Sequence, residues 1–251
     1  MSDLITIKRE DRILSPQKKQ EDKNNRNTLR PLTFSDYPGQ DRTKENLSIC
    51  VQAAKKQKRQ LDHIILHGPP GLGKTTLAHI IAQELDVPFY SSSGPSIDKS
   101  GDLAGILAGL ESGALLFLDE IHRLSVQVEE ILYSAMEDFS IDLVVGQGPS
   151  ARTVSLPVMP FTLIGATTKL SSLSRPFLSR FGIQERLDYY SDDSLVKIAI
   201  RSAKLLKINL SDDGAKSLAK RSRGTPRLLN RLLKRVWDVA IVSNKKFPHL
   251  I

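Results

Sequence analysis

The chain has 251 residues, 40% hydrophobic and 25% charged, an ordinary globular balance long enough to bury a core in one or two domains. A single cysteine, Cys50, excludes an internal disulfide scaffold, a cysteine-based zinc site and an iron–sulfur cluster, and points to a reducing, cytoplasmic-type compartment. The net charge of +8 is uneven: between Lys197 and Arg235 stand 12 Lys/Arg against only Asp212 and Asp213, which suits a polyanionic partner or, equally, a solvated helical face.

At the N-terminus the apolar cluster Leu4, Ile5 and Ile7 is too short for a secretory signal, and no run of 18 apolar residues suggests a membrane span. Residues 1–28, polar and charge-rich, read as a disordered tail. Helical spacing starts at Asp41 and passes through Leu47, Val51 and Ala54, with Cys50 read as a small buried residue. His63-Ile64-Ile65-Leu66-His67 is a short apolar run closed by Gly-Pro-Pro-Gly, hence a buried strand. A helix over 75–85 follows, then a strand from Pro88, a helix over 103–110, an apolar strand over 114–118, a helix over 126–136 and an apolar strand over 160–166. Strands without alternation, interleaved with helices, predict an α/β fold with a parallel sheet covered on both faces.

One segment breaks this rhythm. Ile141 to Val145 and Arg152 to Leu156 flank Gly146-Gln147-Gly148-Pro149, a β-hairpin inserted between helix and strand. After Leu187 only helical patterns remain, over 194–206, 212–221 and 226–242, so a small all-helical domain follows the sheet. Tyr133 and Trp237 read as packing residues.

Gly68-Pro69-Pro70-Gly71-Leu72-Gly73-Lys74-Thr75 matches G-x-x-x-x-G-K-[ST] between a strand and a helix. The glycines let backbone N–H groups converge on phosphate oxygens, and the helix N-terminus adds partial positive charge. Lys74 reaches the β/γ-phosphates and the Thr75 hydroxyl serves Mg²⁺. Leu115-Leu116-Phe117-Leu118-Asp119-Glu120 then presents two carboxylates at the C-terminal end of a strand, where open α/β sheets bind ligands. Asp119 suits the Mg²⁺ coordination sphere and Glu120 the orientation of an attacking water. The next strand ends in Thr167-Thr168, able to hydrogen-bond a γ-phosphate. Arg180 and Arg227 are of the residue type that stabilises charge on a transferring phosphoryl group, with a solvated surface arginine as the alternative reading of each. His122, two residues past the acids, has no partner at metal-ligand spacing and reads as structural.

LRPLTFSDYPGQ, LDHIILHGPPGLGKTTLAHIIAQEL, LLFLDEIHRL, EEILYSAMEDF, GQGPSART, PFTLIGATT, SRFGI and KRSRGTPRLLNRLLKRV together resemble the AAA+ ATPases and, more narrowly, the RuvB family of bacterial Holliday-junction branch-migration motors. The resemblance runs from about Leu29 to Val239. It implies an AAA+ large ATPase domain over 29–187 and a helical lid domain over 188–251, the lid itself incomplete. It also implies an ATP hydrolase of the DNA helicase or translocase type, with ATP and Mg²⁺ as cofactors.

Carried onto this sequence, the family pattern places Leu29 and Arg30 beside the adenine. It assigns Gly71, Leu72, Gly73, Lys74, Thr75 and Thr76 to the phosphates and metal, Thr168 to the polar sensor and Arg227 to the lid sensor. Tyr190 and Glu137-Asp138-Phe139 match further nucleotide-contact positions. Arg180 resembles the arginine finger that reaches the ATP of a neighbouring subunit, which implies a homohexameric ring. The hairpin resembles the RuvA-docking element, with Val154 and Leu156 as apolar contacts. Holliday junction or duplex DNA is the implied substrate, with no role for a membrane. Pro38 departs from the pattern, which usually has an apolar, often branched residue there; proline fixes φ and removes an N–H. The family also continues into a DNA-contacting winged helix beyond the point where this sequence stops. An alternative expectation is therefore a module that binds ATP and RuvA without moving DNA. A clamp-loader-like switch would share the sensors and finger but not the inserted hairpin.

Overall fold

The structure, a computed structural model, describes residues 29–145 and 152–243. The expected tail over 1–28, the Gly-rich hairpin turn and the last residues of the lid lie outside the described residues.

Five parallel strands form the main sheet: β1 (Ile64–His67), β2 (Phe89–Ser93), β3 (Leu115–Asp119), β6 (Thr162–Thr167) and β7 (Ile183–Arg186), in the order β2-β3-β6-β1-β7. A separate antiparallel pair, β4 (Ser140–Val145) and β5 (Arg152–Pro157), makes the hairpin. The helices are α1 (Asp41–Gln57), α2 (Lys74–Leu85), α3 (Ser100–Ala108), α4 (Val126–Asp138) and α5 (Arg175–Leu178). After the sheet come α6 (Asp192–Leu205), α7 (Asp212–Arg221) and α8 (Pro226–Ser243).

The apolar strands are apolar at every position because both faces are covered. Ile64 and Leu66 of β1 pack with α1, α2 and the helices after the sheet, whereas Ile65 packs with α3 and α4 on the opposite face. β3 divides in the same way, Leu115 and Phe117 to the first layer, Leu116 and Leu118 to the second. Phe117, Phe161 and Phe177 are fully buried, each worth roughly 2–3 kcal/mol of apolar transfer. The helices that follow the sheet share the first of these cores through Leu195, Leu218, Leu229 and Leu233.

Element boundaries moved by one to three residues from expectation, and two elements had no sequence signal. β7 is Ile-Gln-Glu-Arg, only one of whose residues is apolar. It pairs with β1 along one edge of the sheet, where polar side chains are tolerated. The four-residue α5 is set by Ser174, whose hydroxyl accepts the Phe177 N–H, with Pro176 in the first turn. Cys50 is half-buried against the first core, and Trp237 is partly buried there too.

Candidate nucleotide-binding site

The strand order positions the site. β6 lies between β1 and β3, with Leu66 paired to Ala166 and Leu118 to Gly165, so the tip of β6 sits between the two phosphate-site motifs. The loop after β1 carries Gly71-Leu72-Gly73 into α2, β3 ends at Asp119, and β6 ends at Thr167. All three tips open on one side of the sheet, the side where parallel sheets bind ligands.

A cleft of about 330 Å³ occupies that side. Gly71, Leu72, Gly73, Lys74, Thr75 and Thr76 form its floor, Asp119, Glu120 and Thr168 one wall. Leu29 and Arg30 also line it, as do Tyr190, just before α6, and Arg227 in the first turn of α8. Residues from six separate stretches of sequence thus meet around one volume, which lies within the range of small-molecule sites.

Lys74 is nearly buried, and its Nζ donates to the carbonyls of Gly68 (2.8 Å) and Pro69 (2.9 Å) in its own loop. Burial pushes its pKa down, the Asp119 carboxylate opposes that, and the Arg227 guanidinium adds to the lowering. Asp119 and Arg227 line the same cleft as Lys74. Asp119 Oδ1 accepts the Glu120 N–H at 3.0 Å. Glu120 holds a left-handed backbone (φ 50°), a conformation costing about 1 kcal/mol for a residue with a Cβ. Among the described residues its carboxylate pairs with Arg123 at 3.4 Å, an exposed contact that leaves it available at the cleft wall.

Gly73 explains why this loop tolerates no side chain. Its φ is +104°, and a Cβ there would stand 2.5 Å from the Tyr37 hydroxyl. That hydroxyl donates to the Leu72 carbonyl at 3.2 Å and accepts from the Tyr190 hydroxyl at 2.7 Å. Burial raises both phenols, Tyr37 well above the usual tyrosine range and Tyr190 to about 12, so both stay neutral donors. A second link joins the helices after the sheet to the loop: the Arg227 N–H donates to the Gly71 carbonyl at 3.3 Å.

His122 is structural, as expected, with a definite task. Its Nδ1 lies 3.0 Å from the Thr167 hydroxyl, which also accepts the Lys169 N–H, so the segment after β3 is tied to the tip of β6. Thr167 is buried by this, and Thr168 is the threonine that faces the cleft.

Four expected site residues do not meet the others within one chain. Arg180, Glu137, Asp138 and Phe139 do not line the cleft. Instead Arg180 follows α5 and lies against the last turns of α4. Its guanidinium sits 4.2 Å from the Tyr133 ring centroid, hydrogen-bonds the Tyr133 hydroxyl and pairs with Glu137 at 2.5 Å. Reading Tyr133 as a packing residue missed this: it cradles Arg180. Val154 and Leu156 are exposed on β5, 42% and 37%, opposite Leu143 and Ile141.

Sequence reasoning also missed Tyr37, Ile198, Arg201 and Asn230, all of which line the cleft. Ile198 and Arg201 are one turn apart on α6, and Arg227 and Asn230 one turn apart on α8, so each helix presents one i, i+3 pair. That spacing was visible; which face met the cleft was not.

The donor set fits Mg²⁺ carried in with phosphates. Among the described residues no group of three His, Cys, Asp or Glu could hold a metal alone. Besides the Glu120 carboxylate, the cleft offers the Asp119 carboxylate and the Thr75 hydroxyl, hard oxygen donors that suit a cation completing its shell from phosphate and water. No helix among the described residues is long and apolar enough to cross a membrane.

Comparison with known proteins agrees with this geometry. Residues 29–187 match the family model described as the Holliday junction DNA helicase RuvB P-loop domain, and residues 190–248 match the RuvB AAA lid domain. The RuvB subunit of the Holliday junction branch migration complex from Rubrobacter xylanophilus is 54% identical over 93% of this chain. The chain spans 65% of that relative's length. A point mutant of Thermotoga maritima RuvB superposes with a TM-score of 0.81 at 48% identity, covering 88% of this chain and 69% of that one. The structure described as the Thermotoga maritima RuvB Holliday junction branch migration motor gives 0.77 at 49% identity, covering 86% and 67%. With its AAA+ P-loop sheet, helical lid and cleft between them, the chain belongs to the RuvB family.

Proposed function

We propose that this chain is an ATP-driven motor subunit that promotes branch migration of Holliday junctions in DNA recombination and repair. It works in the cytoplasm as a homohexameric ring together with RuvA. The observation that carries this reading is the division of labour between two faces. The phosphate-loop residues, Asp119, Glu120, Thr168, Tyr190 and Arg227 line one cleft, while Arg180 lies outside it against Tyr133 and Glu137.

In this reading Leu29 and Arg30 border the adenine, and Gly71 through Thr76 wrap the phosphates. Lys74 exchanges its two loop carbonyls for phosphate oxygens. Thr75 and Asp119 would hold Mg²⁺, which when bound would supply charge neutralisation to the phosphates. Glu120 orients and deprotonates the attacking water, and Thr168 fixes the γ-phosphate side. Arg227 reports the state of the nucleotide to the lid. Arg180 of an adjacent copy completes the site, and Glu137, Asp138 and Phe139 belong to the same contributed surface. The ordered arrangement of large domain over 29–187 and lid from 188 lets hydrolysis become movement. The Val154/Leu156 face of the hairpin docks RuvA. The names of the relatives support the junction and a role within a branch migration complex, and the basic helices after the sheet suit a polyanionic substrate.

The test is ATPase rate against protein concentration, with and without RuvA and junction DNA, for the wild type and Arg180→Ala. A rate per subunit that climbs with concentration, responds to the partners and drops about 10³-fold in the variant is expected. ATP binding with turnover flat in every condition would leave only the module that binds ATP and RuvA without moving DNA.

A further inference from the structure

We propose that Arg201 is a positioning residue for the base-side wall of the cleft, gripping the backbone of Leu29 and Arg30 so that the lid holds the nucleoside half of the ligand separately from its phosphate half. This rests on the reading of the cleft as an ATP site.

The wall at Leu29 and Arg30 has no regular secondary structure, and Pro31 next to it has no N–H to donate. What fixes it comes from far along the chain. Arg201 of α6 donates from Nη1 to the Leu29 carbonyl at 2.8 Å and from Nη2 to the Arg30 carbonyl at 3.2 Å. Two donors in a rigid planar fork meet two successive carbonyls, which orients the segment as well as tethering it. Burial lowers the Arg201 pKa, with Asp36 opposing, a sign that the guanidinium has given up water to make these contacts. The positive charge of Arg30 also acts on His79 of α2, adding to the lowering of its pKa by burial.

The phosphate side is held by a different contact of the same lid. The Arg227 N–H of α8 donates to the Gly71 carbonyl. α6 and α8 are joined beside these two contacts, because the buried Ser202 hydroxyl donates to Asn230 Oδ1 at 2.8 Å. One rigid pair of helices therefore carries two latches, Arg201 for the base side and the Arg227 backbone for the phosphate loop. Removing the first leaves the second in place.

The experiment measures dissociation constants of the full chain for ATP and for inorganic tripolyphosphate, which occupies the phosphate half alone. Arg201→Ala is expected to weaken ATP about tenfold and to leave tripolyphosphate within twofold. Arg201→Lys, which supplies one donor point in place of a fork, is expected to fall between wild type and Arg201→Ala. Equal weakening of both ligands would overturn the proposal, since Arg201 would then support the lid as a whole. Unchanged ATP affinity would overturn it as well. If Arg201→Ala does not fold, Arg201→Lys reads the same split between the two ligands. Failure of the wild type to bind ATP would instead overturn the nucleotide reading beneath it.

Discussion

The cleft and the α4–α5 face each bring an arginine together with a tyrosine, yet they are built in opposite ways. On the cleft side, Tyr37, Tyr190 and the Leu72 carbonyl satisfy one another in a buried network, and the lid is latched to the phosphate loop by Arg227. On the other side Arg180 remains 29% exposed, its Glu137 partner 43% exposed, and its buried Nε has no hydrogen-bond partner among the described residues. The hairpin, which leads directly out of α4, is exposed along the whole of β5. A region whose polar groups are satisfied internally is finished within one chain. In the proposed reading, the face with a partly exposed guanidinium and the exposed Val154 and Leu156 is completed by a neighbouring chain or a partner.

The largest effect should come from separating the two faces genetically. Lys74→Ala disables the cleft and Arg180→Ala the opposite face, so each alone should lower turnover about 10³-fold or more. Mixed in equal amounts, they should recover measurable turnover, because an intact cleft can then face an intact arginine on its neighbour. A mixture as inactive as its parts would break the comparison.

Gly73→Ala attacks the cleft alone. Its Cβ would meet the Tyr37 hydroxyl at a backbone angle hostile to side chains, and nucleotide affinity should fall about 100-fold, roughly 2.7 kcal/mol. Calorimetric titration reads it, and an affinity within twofold of wild type would show that the loop relaxes freely.

Acid should loosen the core that supports the cleft. His79 stacks on Phe89 with ring centroids 4.0 Å apart, and its pKa is lowered to about 4, first by burial and then by Arg30. The unfolded chain therefore binds the extra proton across the window from about 6.5 down to about 4, so stability is full above pH 6.5 and lost as pH falls toward 4. Allowing for solvent screening of a partly exposed ring, the loss is about 1–2 kcal/mol. Denaturant unfolding at pH 7 and pH 4.5 measures it, and His79→Gln should flatten that part of the slope.

The smallest effect should be Tyr190→Phe, which removes the donor to Tyr37. A loss of about 1 kcal/mol, or about 2–4 °C in Tm, is expected by thermal unfolding. Nucleotide should recover part of it by closing the lid onto the cleft.

Much of this molecule could be read before its structure was known. The strands at Ile64, Leu115 and Thr162 are apolar at successive positions, and that pattern alone implied a sheet covered on both sides. The phosphate loop was legible because its glycines, Lys74 and Thr75 are adjacent in sequence. β7 was not legible, since an edge strand needs little apolar character to be stable. Arg201 was hidden for a different reason: it resembles any other basic residue of the lid, and its partners at Leu29 and Arg30 lie more than 170 residues away. Tyr133 looked like packing because its ring is apolar enough for a core, whereas only its neighbours reveal the arginine above it.

The sequence by itself determined most of the elements, apart from β7 and the short α5, together with their parallel arrangement and the chemistry of the phosphate loop, because each depends on side chains at local spacing. Only the tertiary structure decided which residues share the cleft and which face away, since contacts such as Tyr37 with Tyr190 and Arg201 with Leu29 form when helices pack, and packing leaves no mark at either position alone.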